Sequence, residues 1–126
     1  MPKAFIRALL TAKSAAAQAN ANLSLLPKNV ADAISEVASE LLDSGDMMSH
    51  FPVDVFQTGS GTSSNMNANE VLATLASAKV GEIIGANDHI NYGQSSNDIM
   101  PTTIHISATI ELTEQLLPSL EHLHSV

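Results

Sequence analysis

Two short polar segments of this chain have the composition of an anion-binding site. They are residues 58–65 (TGSGTSSN) and residues 93–98 (GQSSND), and each precedes a predicted helix. Glycine lets backbone N–H groups approach a ligand closely, and the unbonded N–H groups at a helix start favour a carboxylate or phosphate. Either segment alone is also typical of an ordinary helix cap or turn. Two matched segments favour one shared site built from neutral donors.

Composition and motifs narrow the class of ligand. No G-x-x-x-x-G-K-[ST] motif occurs, and the dinucleotide fingerprint requires a strand that this helical pattern does not predict. Thirteen acidic and five basic residues give a net charge of -8, which repels nucleic acid and anionic membranes. We therefore expect neither nucleic acid nor a membrane as a partner.

Cysteine and histidine usage gives no sign of a metal centre. The chain has no cysteine, which fits a reducing compartment, and we expect a cytoplasmic protein. Its five histidines have no companion at metal-ligand spacing. We expect no metal and no cofactor.

Apolar spacing predicts two helices in the first half of the chain. Steps of three and four residues form an apolar stripe, and Pro27 ends this helix. The stripe consists of Phe5, Leu9, Ala12, Ala16, Ala19, Leu23 and Leu26. A second helix begins near Asn29, the predicted N-cap, and ends at residues 43–45. The alternating stretch FPVDVF is expected to be extended chain, because Pro52 suits a central strand poorly.

Two more helices are predicted in the second half, which makes the fold class all-α. Helical spacing resumes around Met66 and ends near Gly81, and a loop follows to residue 98. The last helix is predicted to start at Pro101, with Pro118 as a kink. Its long apolar stripe needs partners to cover it, so we expect the chain to be a truncated part of a larger structure.

The two polar segments also carry a family resemblance. QTGSGTSSNMNANEV (57–71), followed by NDHINYGQSSNDIMPTTIH (87–105), resembles the fumarase/aspartase superfamily, most closely class II fumarase. AFIRALLTAKSAAAQANANLSLL (4–26) is similar to the first long helix of that family. Aspartase shares GTSSNMNANEV and NDHIN, whereas QTGSGT and QSSND-x-x-PT favour fumarase.

The resemblance implies a fold, an activity and a set of binding residues. Residues 1–94 would form a helical N-terminal domain, and residues 95–126 would begin a central helical bundle. The family is a homotetramer that reversibly adds water to fumarate to give L-malate in the citric acid cycle, with each active site assembled from three subunits. By position, the implied dicarboxylate-binding residues are Ser60, Gly61, Thr62, Ser95, Ser96 and Asn97.

A second dicarboxylate site is implied at Asn87 and Asp88. The family commonly has histidine and proline just before this pair, where this chain has Gly85 and Ala86, and an upstream basic residue corresponds to Glu82. An anion site that gains an acid and loses a histidine should weaken. We expect any second site here to be weak.

The resemblance places the catalytic groups outside this chain. Hydration of a dicarboxylate needs groups that transfer a proton, activate water and stabilise charge. The family's water-activating histidine and its serine loop, G-S-S-x-M-P-x-K-x-N, would lie beyond residue 126. We therefore expect no catalytic residue here and no fumarase activity from the chain alone. An aspartate ammonia-lyase fragment and a non-catalytic helical interaction domain stay open as alternatives.

Overall fold

The computed structural model describes residues 1–126 and contains helices but no strand, which confirms the all-α prediction. The five α-helices are α1 (Lys3–Asn22), α2 (Lys28–Asp43), α3 (Thr62–Val80), α4 (Ser96–Glu111) and α5 (Leu117–Ser125). A 3-10 turn spans Met47–His50, and π-helical turns span Ala86–Ile90 and Leu112–Leu116.

The core lies between α1, α2, α3 and the first half of α4. α1 packs against α2 and α4, and α3 packs against α2, the Ala86–Ile90 turn and α4. Alanine and branched aliphatic side chains fill the interior, and Leu9, Ile34 and Leu72 are fully buried. This packing brings the N-terminal ends of α3 and α4 into one region of the molecule.

α1 ends earlier than the sequence predicts. It stops at Asn22, and Ser24 adopts the left-handed conformation with φ of 59° before the chain turns into α2. The prediction of a helix to near Pro27 was therefore too long. Asn29 is also not the N-cap, because α2 begins at Lys28 and Asn29 Nδ2 donates to Glu82 Oε1 at 3.3 Å.

α3 and α4 begin earlier than the sequence predicts. The predicted starts were Met66 and Pro101, but α3 begins at Thr62 and α4 at Ser96. Their first turns consist of polar residues, which were expected to lie in loops. Pro101 therefore lies inside α4 rather than in its first turn.

The C-terminal helical segment leaves the core. The π-helical turn Leu112–Leu116 lies just before Pro118, where a proline removes one backbone hydrogen bond and crowds the preceding turn. This interruption ends two residues before Pro118, and a kink at Pro118 stays a prediction. Every residue from 108 to 126 is exposed, including the leucines. None of the helices is both long enough and apolar enough to cross a membrane.

Candidate functional site

The two polar segments meet through a chain of hydroxyl groups. Ser60 Oγ lies 2.9 Å from Thr62 Oγ1, which lies 3.3 Å from Ser96 Oγ. Thr62 is the first residue of α3, Ser60 lies two residues before it, and Ser96 is the first residue of α4. We call these three residues the hydroxyl cradle. The predicted meeting of the two segments is thus present in the fold.

Gly61 permits the close approach of α3 and α4 at the cradle. It has φ of 70°, in the left-handed region that favours glycine. A Cβ atom at this position would overlap the terminal methyl group of Met100 on α4. A glycine is therefore needed here for its backbone conformation and for the space beside it.

Gln57 fixes the first segment to the start of α3. Its Oε1 accepts from the backbone N–H of Ser64 at 3.2 Å, and its Nε2 donates to Ser64 Oγ at 2.7 Å. The same Nε2 donates to the carbonyl oxygen of Asp54 at 2.7 Å. One of the unbonded N–H groups of α3 is thereby satisfied, and those of Thr62 and Ser63 are left facing the start of the helix.

Ser95 caps α4. Its Oγ accepts from the backbone N–H of Asn97 at 3.2 Å, so the hydroxyl oxygen serves the helix while its proton stays free to donate. Ser96 and Asn97 line the adjacent cavity, whereas Ser95 does not. The six residues implied by the resemblance therefore have different roles in the fold.

The cavity beside the cradle has a polar side and an apolar side. Its volume is about 510 Å³. Its polar lining consists of Gln57, Ser60, Ser96 and Asn97 together with Gly59 and Gly61, and its apolar lining consists of Met1, Phe5, Val55, Met100, Pro101 and Ile104. No titratable side chain is among them. The cavity can bind an anion through hydrogen bonds but offers no side chain for proton transfer.

A buried polar network lies behind the cradle and was missed by the sequence analysis. Lys13 Nζ donates to Asn91 Oδ1 at 2.9 Å and to Gln94 Oε1 at 2.7 Å. The side-chain amides of Asn65 and Asn69 on α3 donate to the same Asn91 oxygen, each at 3.2 Å. The network joins α1, α3 and the segment that leads into α4.

Lys13 is the charged member of this network. Its side chain is 0% exposed, and burial lowers its pKa from 10.5 to about 7. The signal in the sequence was a single lysine on the buried face of α1, between Leu9 and Ala17. The predicted stripe instead continued through Ala16 and Ala19, which are half-buried and exposed respectively.

Asn87 and Asp88 lie apart from the cradle. Both are exposed in the Ala86–Ile90 turn, and neither lines the cavity. Near them, the backbone N–H of Gly85 donates to His89 Nδ1 at 2.9 Å, so that ring nitrogen is an acceptor. Glu82 accepts a hydrogen bond from Asn29.

Comparisons with known proteins give a consistent family. The family model described as "Lyase" matches residues 2–126. The class II fumarate hydratase 2 of Pseudomonas aeruginosa is 63% identical over 123 residues, which cover 98% of this chain and 27% of that protein. The class II fumarate hydratase of Xylella fastidiosa is 55% identical over 126 residues, covering 100% of this chain and 26% of that protein. The crystal structure of a class II fumarase from Schistosoma mansoni matches with a TM-score of 0.91 and 40% identity, covering 98% of this chain and 27% of that one.

The family resemblance stated from the two polar segments is thus confirmed. This chain spans 26–27% of the length of these curated relatives. Because the family model covers nearly every residue and the relatives share more than half of the aligned positions, the chain belongs to the lyase family of the class II fumarases.

Proposed function

We propose that this chain supplies part of the dicarboxylate-binding site of a class II fumarase, which reversibly adds water to fumarate to give L-malate. The observation that carries this proposal is the hydroxyl cradle, formed where the N-terminal ends of α3 and α4 meet. The relatives at 63% and 55% identity are named as fumarate hydratases rather than aspartases. We assign the enzyme to the citric acid cycle and to the cytoplasm.

The cradle would hold one carboxylate without a cationic side chain in the lining of the cavity. On binding, the hydroxyl groups of Ser60 and Ser96 can turn from Thr62 to donate to the carboxylate, and Asn97 lines the same cavity. The first N–H groups of two helices add partial positive charge at the same place. Gly61 keeps a side chain from filling this space. The opposite carboxylate would be held by other parts of the enzyme.

The chemical step would use groups supplied by the rest of the enzyme. Water addition requires a base, an acid and stabilisation of the doubly charged intermediate. Because the cavity has no titratable side chain, this chain would bind and orient the substrate. In the proposed homotetramer, residues 1–94 belong to an N-terminal domain and residues 95–126 begin the central bundle, where three subunits complete each site.

A chimeric enzyme tests this proposal. Residues 1–126 would replace the aligned segment of the Pseudomonas aeruginosa relative, and malate formation from fumarate would be measured. We expect an active chimera and no activity from the 126-residue chain alone. Within the chimera, Ser96→Ala should raise the KM for fumarate about 10- to 100-fold, because one hydrogen bond to a charged group is lost.

Ser63→Ala is the matched control. Ser63 is exposed in the first turn of α3 and does not line the cavity, so its removal should leave KM unchanged. A folded chimera without fumarate hydration would contradict the proposed function. Equal KM values for the Ser96→Ala and unsubstituted chimeras would contradict the role of the cradle.

A further inference from the structure

We propose that Lys13 is a positioning residue that locks the segment before α4 against α3, and so places Ser96 and Asn97 for dicarboxylate binding. This inference rests on the proposed function of the cradle. It concerns a residue of α1 that does not line the cavity.

The connection from Lys13 to the cradle is short. Gln94, which accepts from Nζ, is two residues before Ser96 in the chain. Gln94 Nε2 also donates to the carbonyl oxygen of Ile90 at 2.8 Å, and Asn91 Nδ2 donates to the carbonyl oxygen of Gln94 at 3.1 Å. Lys13 therefore binds both ends of the turn at residues 91–94, which leads to Ser96.

The same lysine ties this turn to α3. Asn91 Oδ1 receives Lys13 Nζ on one side and the amide nitrogens of Asn65 and Asn69 on the other. Asn65 is three residues after Thr62 on α3, so the network spans the two helices whose first residues form the cradle. The relative position of Thr62 and Ser96 thus depends on a junction at Asn91.

Lys13 also sets the direction of the bonds that meet at Asn91. Its Nζ donates to Asn91, so Asn91 presents its oxygen, and Asn65 and Asn69 must then present their nitrogens. The Oδ1 atoms of Asn65 and Asn69 are consequently buried without a partner. Unsatisfied buried oxygens lower stability, so this arrangement is better explained by positioning than by stability.

The charge of Lys13 has no acidic partner in the chain. Lys13 forms no ion pair, and its hydrogen-bond partners are both neutral amides. None of the other titratable and charged groups on α1 and on the elements packed against it bonds to Nζ. These groups are Lys3, Arg7, Lys28, Asp32, Glu36, Glu40, Asp43, Glu70, Lys79, Asp88, His89, Tyr92, Asp98, His105 and Glu111. In its protonated form, Lys13 places an uncompensated positive charge behind the cradle, and this charge has the sign that favours a bound dianion.

Lys13→Met separates positioning from support of the fold. Methionine keeps the length of the side chain and removes a buried charge, which offsets the loss of the two hydrogen bonds that Nζ donates, so the melting temperature should change little. Amide hydrogen exchange over residues 91–98 should nevertheless become about tenfold faster or more, because the turn loses its anchor. Exchange over α2 should be unchanged. Lys3→Met, an exposed position on the same helix, is the control and should change neither segment.

The chimera supplies the functional readout. Lys13→Met should raise the KM for fumarate about 10- to 100-fold while kcat changes by less than about threefold, since binding geometry is lost but the proton-transfer groups are intact. Gln94→Met cuts the same link from the turn and should reproduce the effect. If Lys13→Met fails to fold, Gln94→Met tests the positioning role in its place.

The outcomes distinguish the two proposals. If the unsubstituted chimera is inactive, the proposed function is wrong. Hydrogen exchange then still tests whether Lys13 fixes the turn at residues 91–94. Unchanged exchange over residues 91–98, or faster exchange across the whole chain, would overturn the positioning role. Unchanged KM in both Lys13→Met and Gln94→Met would overturn its link to binding.

Discussion

Lys13 is the one ionisable side chain among the buried residues, and its contribution to the free energy of unfolding depends on pH. Burial disfavours the charged ammonium, which is why the pKa falls to about 7. In the unfolded chain the same group would titrate near 10.5. Between these two values the unfolded state binds a proton that the folded state has lost.

The free energy of unfolding should therefore rise with pH through this window. Burial of the Lys13 ammonium destabilises the fold by its full amount below about pH 7. This destabilisation is relieved as the pH approaches 10.5. The slope should reach at most about 1.4 kcal/mol per pH unit. Urea unfolding at pH 6, 7, 8 and 9 would measure it, with Lys13→Met as the variant in which this contribution disappears. Parallel curves for the two proteins would show that Lys13 does not titrate in this range.

At the scale of elements, the site depends on how the residue just before α3 packs against α4. Gly61 and Met100 form that contact, and Gln57 fixes the adjoining loop. A side chain at Gly61 would meet two penalties, a left-handed backbone and an overlap with Met100.

Gly61→Ala should lower the free energy of unfolding by about 2–5 kcal/mol. The left-handed conformation costs about 1–2 kcal/mol for a residue with a Cβ, and overpacking adds about 1–3 kcal/mol. Gly93→Ala is a matched control, because Gly93 also has φ of 70° but has open space around it. Urea denaturation of the two variants would isolate the overlap with Met100. A Gly61→Ala variant no less stable than Gly93→Ala would contradict the packing argument.

The sequence predicted these helices well because apolar spacing is a local signal. Their starts were less predictable, since Gly61 and Ser95 begin α3 and α4 within segments whose composition is typical of loops. The meeting of the two polar segments followed from their matched composition. The role of Lys13 could not be predicted from local sequence patterns, because its partner Asn91 lies 78 residues away and only tertiary packing brings them together.

At the scale of the whole molecule, apolar surface is concentrated on the C-terminal helical segment. Ile110, Leu112, Leu116, Leu120 and Leu123 are all exposed, while the core of the chain lies among the earlier helices. An apolar stripe on a helix outside the core is typical of an interface with another helix. In the proposed homotetramer this segment would pack in the central bundle.

The chain should therefore associate in solution through this segment. Sedimentation equilibrium should give a mass above that of the 13.2 kDa monomer, and Leu116→Glu with Leu120→Glu should return it to the monomer, because two charges would have to be buried at the contact. Gln115→Glu with His122→Glu adds the same charge at exposed polar positions and serves as the control. It should leave the association intact, since those side chains add nothing to the apolar stripe. A monomeric unsubstituted chain would show that the leucine stripe does not form a contact between chains. Equal dissociation by both double variants would show that net charge, rather than the stripe, governs association.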